Sequence, residues 1–266
     1  MHIKVEGDRS LYVEHHARDA PGTTVVFVHG GGCNRRVWDS VLPSVLAARH
    51  GAVLVDLRAC GRSDQDFMSM RIDELCQDII RVADTLGLDR LDLVGWSLGG
   101  VVVAGAAAAL GDRVQHLVTV GSPGPRFVLA DDYMWGVPPE FVDAVQAGLM
   151  HDRAGFYRGL TEILLHQDRP DMKQWLFDIF MSSGARHDES IADLANLDQR
   201  ALLPAVKAAS LVCHGRHDQF VALERSEPLV AGLDGAVLRI YEQSGHAPFL
   251  EEPDAFTSDL LSFLAS

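Results

Sequence analysis

Cysteine is scarce in this chain, and the four that are present do not fall into motifs. Cys33, Cys60, Cys76 and Cys213 lie far apart, without the Cys-x-x-Cys spacing of zinc and redox sites. This pattern favours reduced thiols over a disulfide framework. Long apolar runs are also missing, since none reaches the roughly 18 residues that a membrane-spanning helix needs. The first residues lack the charged-then-apolar pattern of a secretory signal, so we expect a cytoplasmic protein.

Basic residues are few as well. The 266 residues include 23 Lys and Arg against 37 Asp and Glu, a formal net charge of −14. Nucleic acids and anionic membranes would be repelled by this charge, so neither is expected as a partner. With 47% hydrophobic and 23% charged residues, the composition is that of an ordinary globular protein, and extended disorder is excluded.

Apolar, β-branched runs alternate with helical patterns over most of the chain. A weak alternation on either side of Gly7 predicts an opening hairpin at a sheet edge. Buried strands are predicted at residues 23–28, 52–56 and 91–94, and further strands at 114–120, 209–213 and 236–241. The helix predicted between the second and third of these has Ser69 as its N-cap and Gly87 as its stop. We therefore predict an α/β fold with a doubly wound, mostly parallel, eight-stranded sheet.

The alternation stops between residues 124 and 200, where four helices are predicted with no strand between them. We predict a core domain of residues 1–123 and 201–266, with residues 124–200 inserted after strand 6 as a helical lid. The insertion holds 9 of the 19 aromatic residues, which would line a pocket beneath the lid or form the lid's own core. Trp135 and Phe180 are our candidates for contact with a substrate.

A serine lies at a sharp corner between a predicted strand and an Ala-rich helix. Residues 95–100 read Gly-Trp-Ser-Leu-Gly-Gly, the pattern of a nucleophile elbow with Ser97 at its tip. Such a turn strains the serine backbone, and only small residues fit two positions before and after it, here Gly95 and Gly99. A glycine-rich corner with an incidental serine would give the same letters.

Three consecutive glycines follow the strand at residues 23–28. The sequence His-Gly-Gly-Gly at residues 29–32 lets the backbone turn with its N–H groups exposed. In an acyl-transfer site, such a loop donates one N–H to an oxyanion, and the residue after the nucleophile donates the second. We predict Gly31 and Leu98 as these donors, with Gly30 and Trp96 in contact with the substrate. The alternative is a plain turn before a helix.

Two titratable residues follow the last two predicted strands. A serine hydroxyl needs a base that titrates near neutrality, and we assign this role to His246. The charge that the imidazole acquires needs a buried carboxylate beside it, which we assign to Asp218. Taken with Asp218, His214 and His217 could be mistaken for metal ligands, but no third ligand is obvious. Neither a metal nor a cofactor is predicted.

Together, the motifs at residues 29–32, 56–63, 95–100, 215–218 and 245–249 resemble those of the α/β-hydrolase superfamily. Within it, residues 95–100 and 245–249 are most similar to the pimeloyl-ACP methyl ester carboxylesterases. Two departures stand out. Ala59 and Cys60 replace the family's usual pair and put a free thiol near the expected mouth of the site. Those carboxylesterases dock an acidic carrier protein through basic lid residues, whereas this lid has 13 acidic and 7 basic residues, so carrier docking is not expected.

The sequence thus predicts a serine hydrolase that cleaves a small or medium carboxylic ester through an acyl-enzyme intermediate, with a small-molecule ester as its partner. Three alternatives remain open. A lactone or carbon–carbon bond hydrolase would use the same triad. A cofactor-free dioxygenase of the same fold would use the histidine and aspartate as a base, and a non-catalytic binding protein would use none of the three residues.

Overall fold

One eight-stranded sheet runs through the protein, which a computed structural model describes for residues 1–18 and 23–266. Its strands are β1 (His2–Glu6), β2 (Arg9–His16), β3 (Thr24–Val28), β4 (Gly51–Val55), β5 (Leu91–Trp96), β6 (Val114–Val120), β7 (Ala209–Gly215) and β8 (Val237–Tyr241). Their order across the sheet is β1-β2-β4-β3-β5-β6-β7-β8. The first two pairings, β1 with β2 and β2 with β4, are antiparallel, and the rest are parallel. The predicted mostly parallel sheet is confirmed.

Helices cover both faces of this sheet. They are α1 (Leu42–Ala47), α2 (Ile72–Thr85), α3 (Leu98–Leu110), α4 (Pro139–His151), α5 (Arg153–Leu164), α6 (Pro170–Met181), α7 (Asp188–Asp193), α8 (Ser226–Gly232), α9 (Pro248–Glu251) and α10 (Pro253–Leu264). Successive residues of β3 point to opposite faces, so Val26 belongs to the same buried cluster as Leu75 of α2, whereas Phe27 belongs to the cluster of Phe256 in α10. Burial on both faces explains why this strand is apolar throughout.

The N-terminus of α2 differs from the prediction. The helix begins at Ile72, and Ser69 does not cap it. The carboxylate of Asp193 caps it instead, by accepting the Ile72 N–H at 2.8 Å. The Ser69 hydroxyl accepts the N–H of Arg71, outside the helix, at 3.3 Å. Gly87, with φ of +63°, follows the last turn and ends the helix as predicted.

The register of the parallel strands brings their carboxyl ends to one edge. Val28 of β3 lies beside Gly95 of β5, and Val120 of β6 lies between Trp96 of β5 and Cys213 of β7. The loops that follow these strands therefore meet above the same edge. Open α/β sheets bind their ligands at such an edge.

The stretch from residue 124 to 200, called the helical segment below, contains α4 to α7 and joins β6 to β7. Three isolated bridge pairs lie within it. Arg126 with Asp198 joins its two ends, and Val128 with Val137 and Ala130 with Tyr133 lie near its start. Its buried side chains belong to the same two clusters as those of the sheet. Over residues 1–18 and 23–266, no helix is both long enough and apolar enough to cross a bilayer.

Candidate active site

Ser97 occupies a strained corner between β5 and α3. Its backbone has φ of 55° and ψ of −119°, a conformation that residues other than glycine rarely adopt. A Cβ added to Gly95 would collide with the carbonyl of Gly99. A Cβ added to Gly99 would in turn collide with the carbonyls of Val28 and His29. The two glycines therefore allow the tight turn that puts the serine at the carboxyl edge of the sheet.

His246 and Asp218 form a buried acid–base pair. The Nδ1 atom of His246 lies 2.7 Å from Oδ2 of Asp218, whose Oδ1 accepts the N–H groups of Phe220 and Val221 at 2.9 and 2.8 Å. Burial raises the pKa of Asp218, but the charges and hydrogen bonds of His246 and His214 outweigh it, so the net pKa lies well below its usual range. An ionised carboxylate only accepts hydrogen bonds, so Nδ1 carries the proton and Nε2 is left to act as the base.

The Nε2 atom of His246 is buried without a hydrogen-bond partner among the described residues. It belongs to the wall of the same cavity as Ser97. The two side chains do not hydrogen-bond to each other in this structure. Such contacts often tighten only when a substrate binds. The structure thus brings together all three residues that the sequence predicted as catalytic.

The predicted oxyanion donors lie beside the serine. The imidazole of His29 donates from Nδ1 to the Gly30 carbonyl at 2.8 Å, and its Nε2 accepts the Leu57 N–H at 3.0 Å. Burial lowers the pKa of His29 to about 4, so the ring is neutral. In a trans peptide the N–H points opposite to the carbonyl, so the Gly31 N–H faces away from His29. Leu98 is the first residue of α3, where backbone N–H groups lack a partner within the helix.

Trp96 and Gly30 both belong to the wall of the cavity, as predicted for residues in contact with a substrate. The indole N–H of Trp96 also donates to the His246 carbonyl at 2.9 Å. A Cβ on Gly30 would lie 3.0 Å from the Trp96 ring. Trp96 thus contacts the backbone of the histidine, a role that nothing in its sequence neighbourhood indicates.

The cavity that contains Ser97 and His246 has an almost entirely apolar wall. Besides Trp96, six Phe and Tyr side chains line it: Phe127, Phe141, Phe156, Tyr157, Phe180 and Phe220. All but the last come from the helical segment. Phe180 stacks on Tyr157 with ring centroids 4.7 Å apart and an interplanar angle of 11°.

The structure does not bring Trp135 to this cavity. Its indole N–H lies 3.3 Å from a carboxylate oxygen of Glu227, and its ring packs at an angle against Tyr133. Our assignment of Trp135 to substrate contact is therefore corrected. The sequence shows how many aromatic residues the segment contains, but it does not indicate which of them face the cavity.

The sequence also gave no sign of the role of Tyr157. Its hydroxyl donates to Asp188 at 2.8 Å, and Arg153 pairs with the same carboxylate at 2.9 Å. The phenol is therefore hydrogen-bonded within the protein, and its ring presents an apolar face to the cavity. The Tyr157 ring also covers the last glycine of the oxyanion loop, because a Cβ on Gly32 would lie 2.6 Å from its hydroxyl.

Two other expectations concerned reactive side chains near the site. Cys60 is fully buried rather than at the mouth, and burial raises the pKa of its thiol well above the usual value. His214 donates to the Val221 carbonyl at 2.8 Å and lies 3.3 Å from Asp218, whereas the His217 ring stacks on His166 at 3.8 Å. Across the described residues, no three His, Cys, Asp or Glu side chains form a group that could hold a metal.

The fold and the site together define a class of protein. A family model described as "alpha/beta hydrolase fold" matches residues 23–253. The chain belongs to this family of hydrolases, which confirms the resemblance inferred from its motifs.

Three individual relatives are also similar over nearly the whole chain. The pimeloyl-[acyl-carrier protein] methyl ester esterase of Vibrio atlanticus (strain LGP32) is 32% identical, covering 91% of this chain and 94% of the relative. The AB hydrolase superfamily protein YisY of Bacillus subtilis (strain 168) is 27% identical, covering 98% of both chains. The solved structure of an esterase from Exiguobacterium antarcticum superposes with a TM-score of 0.94 at 28% identity, covering 100% of this chain and 99% of that one.

Proposed function

We propose that this protein is a serine esterase that works through an acyl-enzyme intermediate. The observation that carries the proposal is the unpartnered Nε2 of His246, held by Asp218 in a cavity that also contains the strained Ser97. Esterases among its relatives support the same chemistry. The cavity that Ser97 and His246 share, and the hydrogen bond between His246 and Asp218, support this mechanism.

The first half of the reaction forms the acyl-enzyme. Ser97 Oγ attacks the ester carbonyl carbon while His246 Nε2 takes its proton, and the carbonyl oxygen becomes an oxyanion. The N–H groups of Gly31 and Leu98 donate to that oxyanion. The carbon–oxygen bond to the alcohol then breaks, and the imidazolium protonates the departing alkoxide. Asp218 stabilises the imidazolium without taking its proton.

The second half releases the acid. A water molecule gives a proton to His246 Nε2 and attacks the acyl carbon, and the oxyanion forms again between the same two N–H groups. When the intermediate collapses, the bond to Ser97 Oγ breaks and the imidazolium returns the proton to the serine. The products are one carboxylic acid and one alcohol, and the enzyme is restored.

The wall of the cavity supports an uncharged, apolar ester as the substrate. Its side chains are aromatic and aliphatic, and the hydroxyl of Tyr157 is already bonded to Asp188. A charged group on the substrate would be buried there without a partner, at a cost of several kcal/mol.

We further propose that the helical segment acts as a lid over the site. Support comes from the cavity wall, most of whose side chains belong to this segment, including Val142, Leu160, Ile191 and Leu194. The segment's 13 acidic and 7 basic residues would repel an acidic carrier protein. The proposed substrate is therefore a free ester rather than a carrier-bound one.

A series of 4-nitrophenyl esters of increasing acyl length tests the proposal, with a γ-lactone series beside it. We expect turnover of the esters with a maximum at small or medium length. Ser97→Ala and Asp218→Asn should each lower kcat by about a thousandfold or more, with KM for the aspartate variant within a few-fold. Asp131→Asn, at an exposed carboxylate, is the control and should match the wild type. Turnover that survives in Ser97→Ala, or lactone turnover alone, would contradict the proposal.

A further inference from the structure

One buried carboxylate close to the site takes no part in the chemistry described above. Glu251, the last residue of α9, is only 7% exposed. No Lys, Arg or His side chain among the described residues forms an ion pair with it. Its oxygens accept backbone N–H groups instead, from Gly245 at 2.6 Å and from Gln167 at 2.8 Å. A buried charge without a counter-ion is costly, so its retention calls for an explanation.

The partners of Glu251 belong to two parts of the protein that are far apart in sequence. Gly245 precedes the catalytic histidine, whereas Gln167 follows the end of α5 in the helical segment. The same two parts meet again where His246 donates its N–H to the Leu164 carbonyl at 2.7 Å. They approach so closely that a Cβ on Gly245 would lie 2.7 Å from that carbonyl oxygen. Glu251 thus lies at the junction of the catalytic loop and the helical segment.

The backbone around His246 is consequently fixed at three points. Glu251 holds the N–H of Gly245, Leu164 accepts the N–H of His246, and Trp96 donates to its carbonyl. Small displacements of a catalytic group lower turnover strongly, so these bonds bear directly on the reaction. We propose that Glu251 is a positioning residue that pins the loop of His246 to the end of α5, an inference that rests on the proposed esterase function.

The groups around Glu251 determine the balance between its ionised and protonated forms. The neighbouring carboxylate of Glu252 repels a negative charge on Glu251. The backbone N–H groups of His166 and Gln167, just after α5, donate to Glu251 and favour that charge. The loop contributes the N–H of Gly245, with the imidazole of His246 turned toward Asp218. Burial raises the pKa of Glu251 above its usual range, although the backbone N–H groups oppose it. The ionised form is therefore disfavoured by folding, and this penalty disappears as the pH falls through the raised pKa.

The Glu251→Gln substitution separates positioning from a purely structural role. Glutamine removes the buried charge, but its amide can accept at only one of the two positions, because its NH₂ group would face an N–H donor. Removal of the buried charge stabilises the folded state and loss of one hydrogen bond destabilises it. We therefore expect a melting temperature at pH 8 within a few degrees of the wild type. In the folded enzyme we expect kcat to fall about 10- to 100-fold with KM within about threefold. Amide hydrogen exchange at residues 164–168 and 243–247 should become faster.

Asp92→Asn is the matched control. Asp92 is a fully buried carboxylate near the start of β5, at the end of the strand away from Ser97. It is hydrogen-bonded to His116 at 2.8 Å. Its substitution should leave kcat and the exchange of those two segments unchanged.

A Glu251→Gln enzyme with kcat within twofold of the wild type would overturn the inference. Unchanged exchange in both segments would also overturn it. Failure of the wild type to turn over any ester would contradict the proposed function instead, and the exchange measurement would still decide whether Glu251 fixes the loop.

Discussion

At the scale of single residues, two buried histidines should make the protein sensitive to acid. Burial lowers the pKa of His29 and of His187 from 6.5 to about 4. Well above pH 6.5 both are neutral in the folded and unfolded states, so they add no pH dependence there. As the pH falls from 6.5 to 4, both histidines become protonated in the unfolded chain but stay neutral in the folded protein. The free energy of unfolding should then drop by up to about 3 kcal/mol for each histidine.

Urea unfolding at several pH values measures this effect, and His187→Asn isolates one of the two histidines. The asparagine amide can still donate to the Arg58 carbonyl, which His187 Nδ1 contacts at 3.0 Å. The variant should lose stability less steeply below pH 6.5 than the wild type. Identical pH dependence in the two proteins would show that His187 does not titrate as described.

The residues proposed to carry the chemistry could be predicted from the sequence because each lies in a short local motif. The turn at Ser97 requires glycine two positions before and two positions after it, at Gly95 and Gly99, so one short motif contains the whole elbow. Glu251 and Tyr157 were not accessible, because their roles depend on partners from other parts of the chain or on the shape of the cavity. Nothing in a linear sequence indicates which N–H groups a distant carboxylate will accept.

At the scale of elements, the wall that α5 and α6 contribute should set substrate size. Phe180 of α6 lines the cavity and stacks on Tyr157 of α5, which Asp188 holds in place. Phe180→Leu would open space at that wall while keeping an apolar contact. We expect the ratio of kcat/KM for long over short acyl esters to rise by about tenfold.

Trp135→Leu is the control for this change, since Trp135 is a large aromatic of the same helical segment that lies outside the cavity. Its ester profile should match that of the wild type. An unchanged ratio in Phe180→Leu, or an equal shift in both variants, would show that the wall described here does not select the acyl group.

The boundaries of helices and strands could be predicted where nearby residues determine them. They were missed where a tertiary contact determines them. The central strands β3 to β7 follow from continuous apolar runs, because they are buried on both faces. The start of α2 was missed because its cap, Asp193, lies 121 residues away along the chain. Ser69 carried the right side chain for a cap, but the contact with the helical segment determined where the helix begins.

At the scale of the whole molecule, the parallel sheet and the helical segment build the site between them. The sheet positions Ser97, His246 and Asp218, the proposed nucleophile, base and acid, at one edge, and the segment supplies most of the apolar wall. The alternation of strands and helices predicted the sheet. It could not predict the contacts between the segment and the loop of His246, which bring together residues 82 positions apart.

The central claim is that Ser97 is the covalent nucleophile, and labelling with an organophosphonate followed by peptide mass analysis tests it most directly. Nucleophilic attack by the serine on phosphorus would leave a stable adduct that mimics the oxyanion intermediate. We predict one mass increment on the peptide that contains Ser97, and none in Ser97→Ala. An increment on a different peptide, or an unlabelled wild type that still hydrolyses esters, would contradict the account.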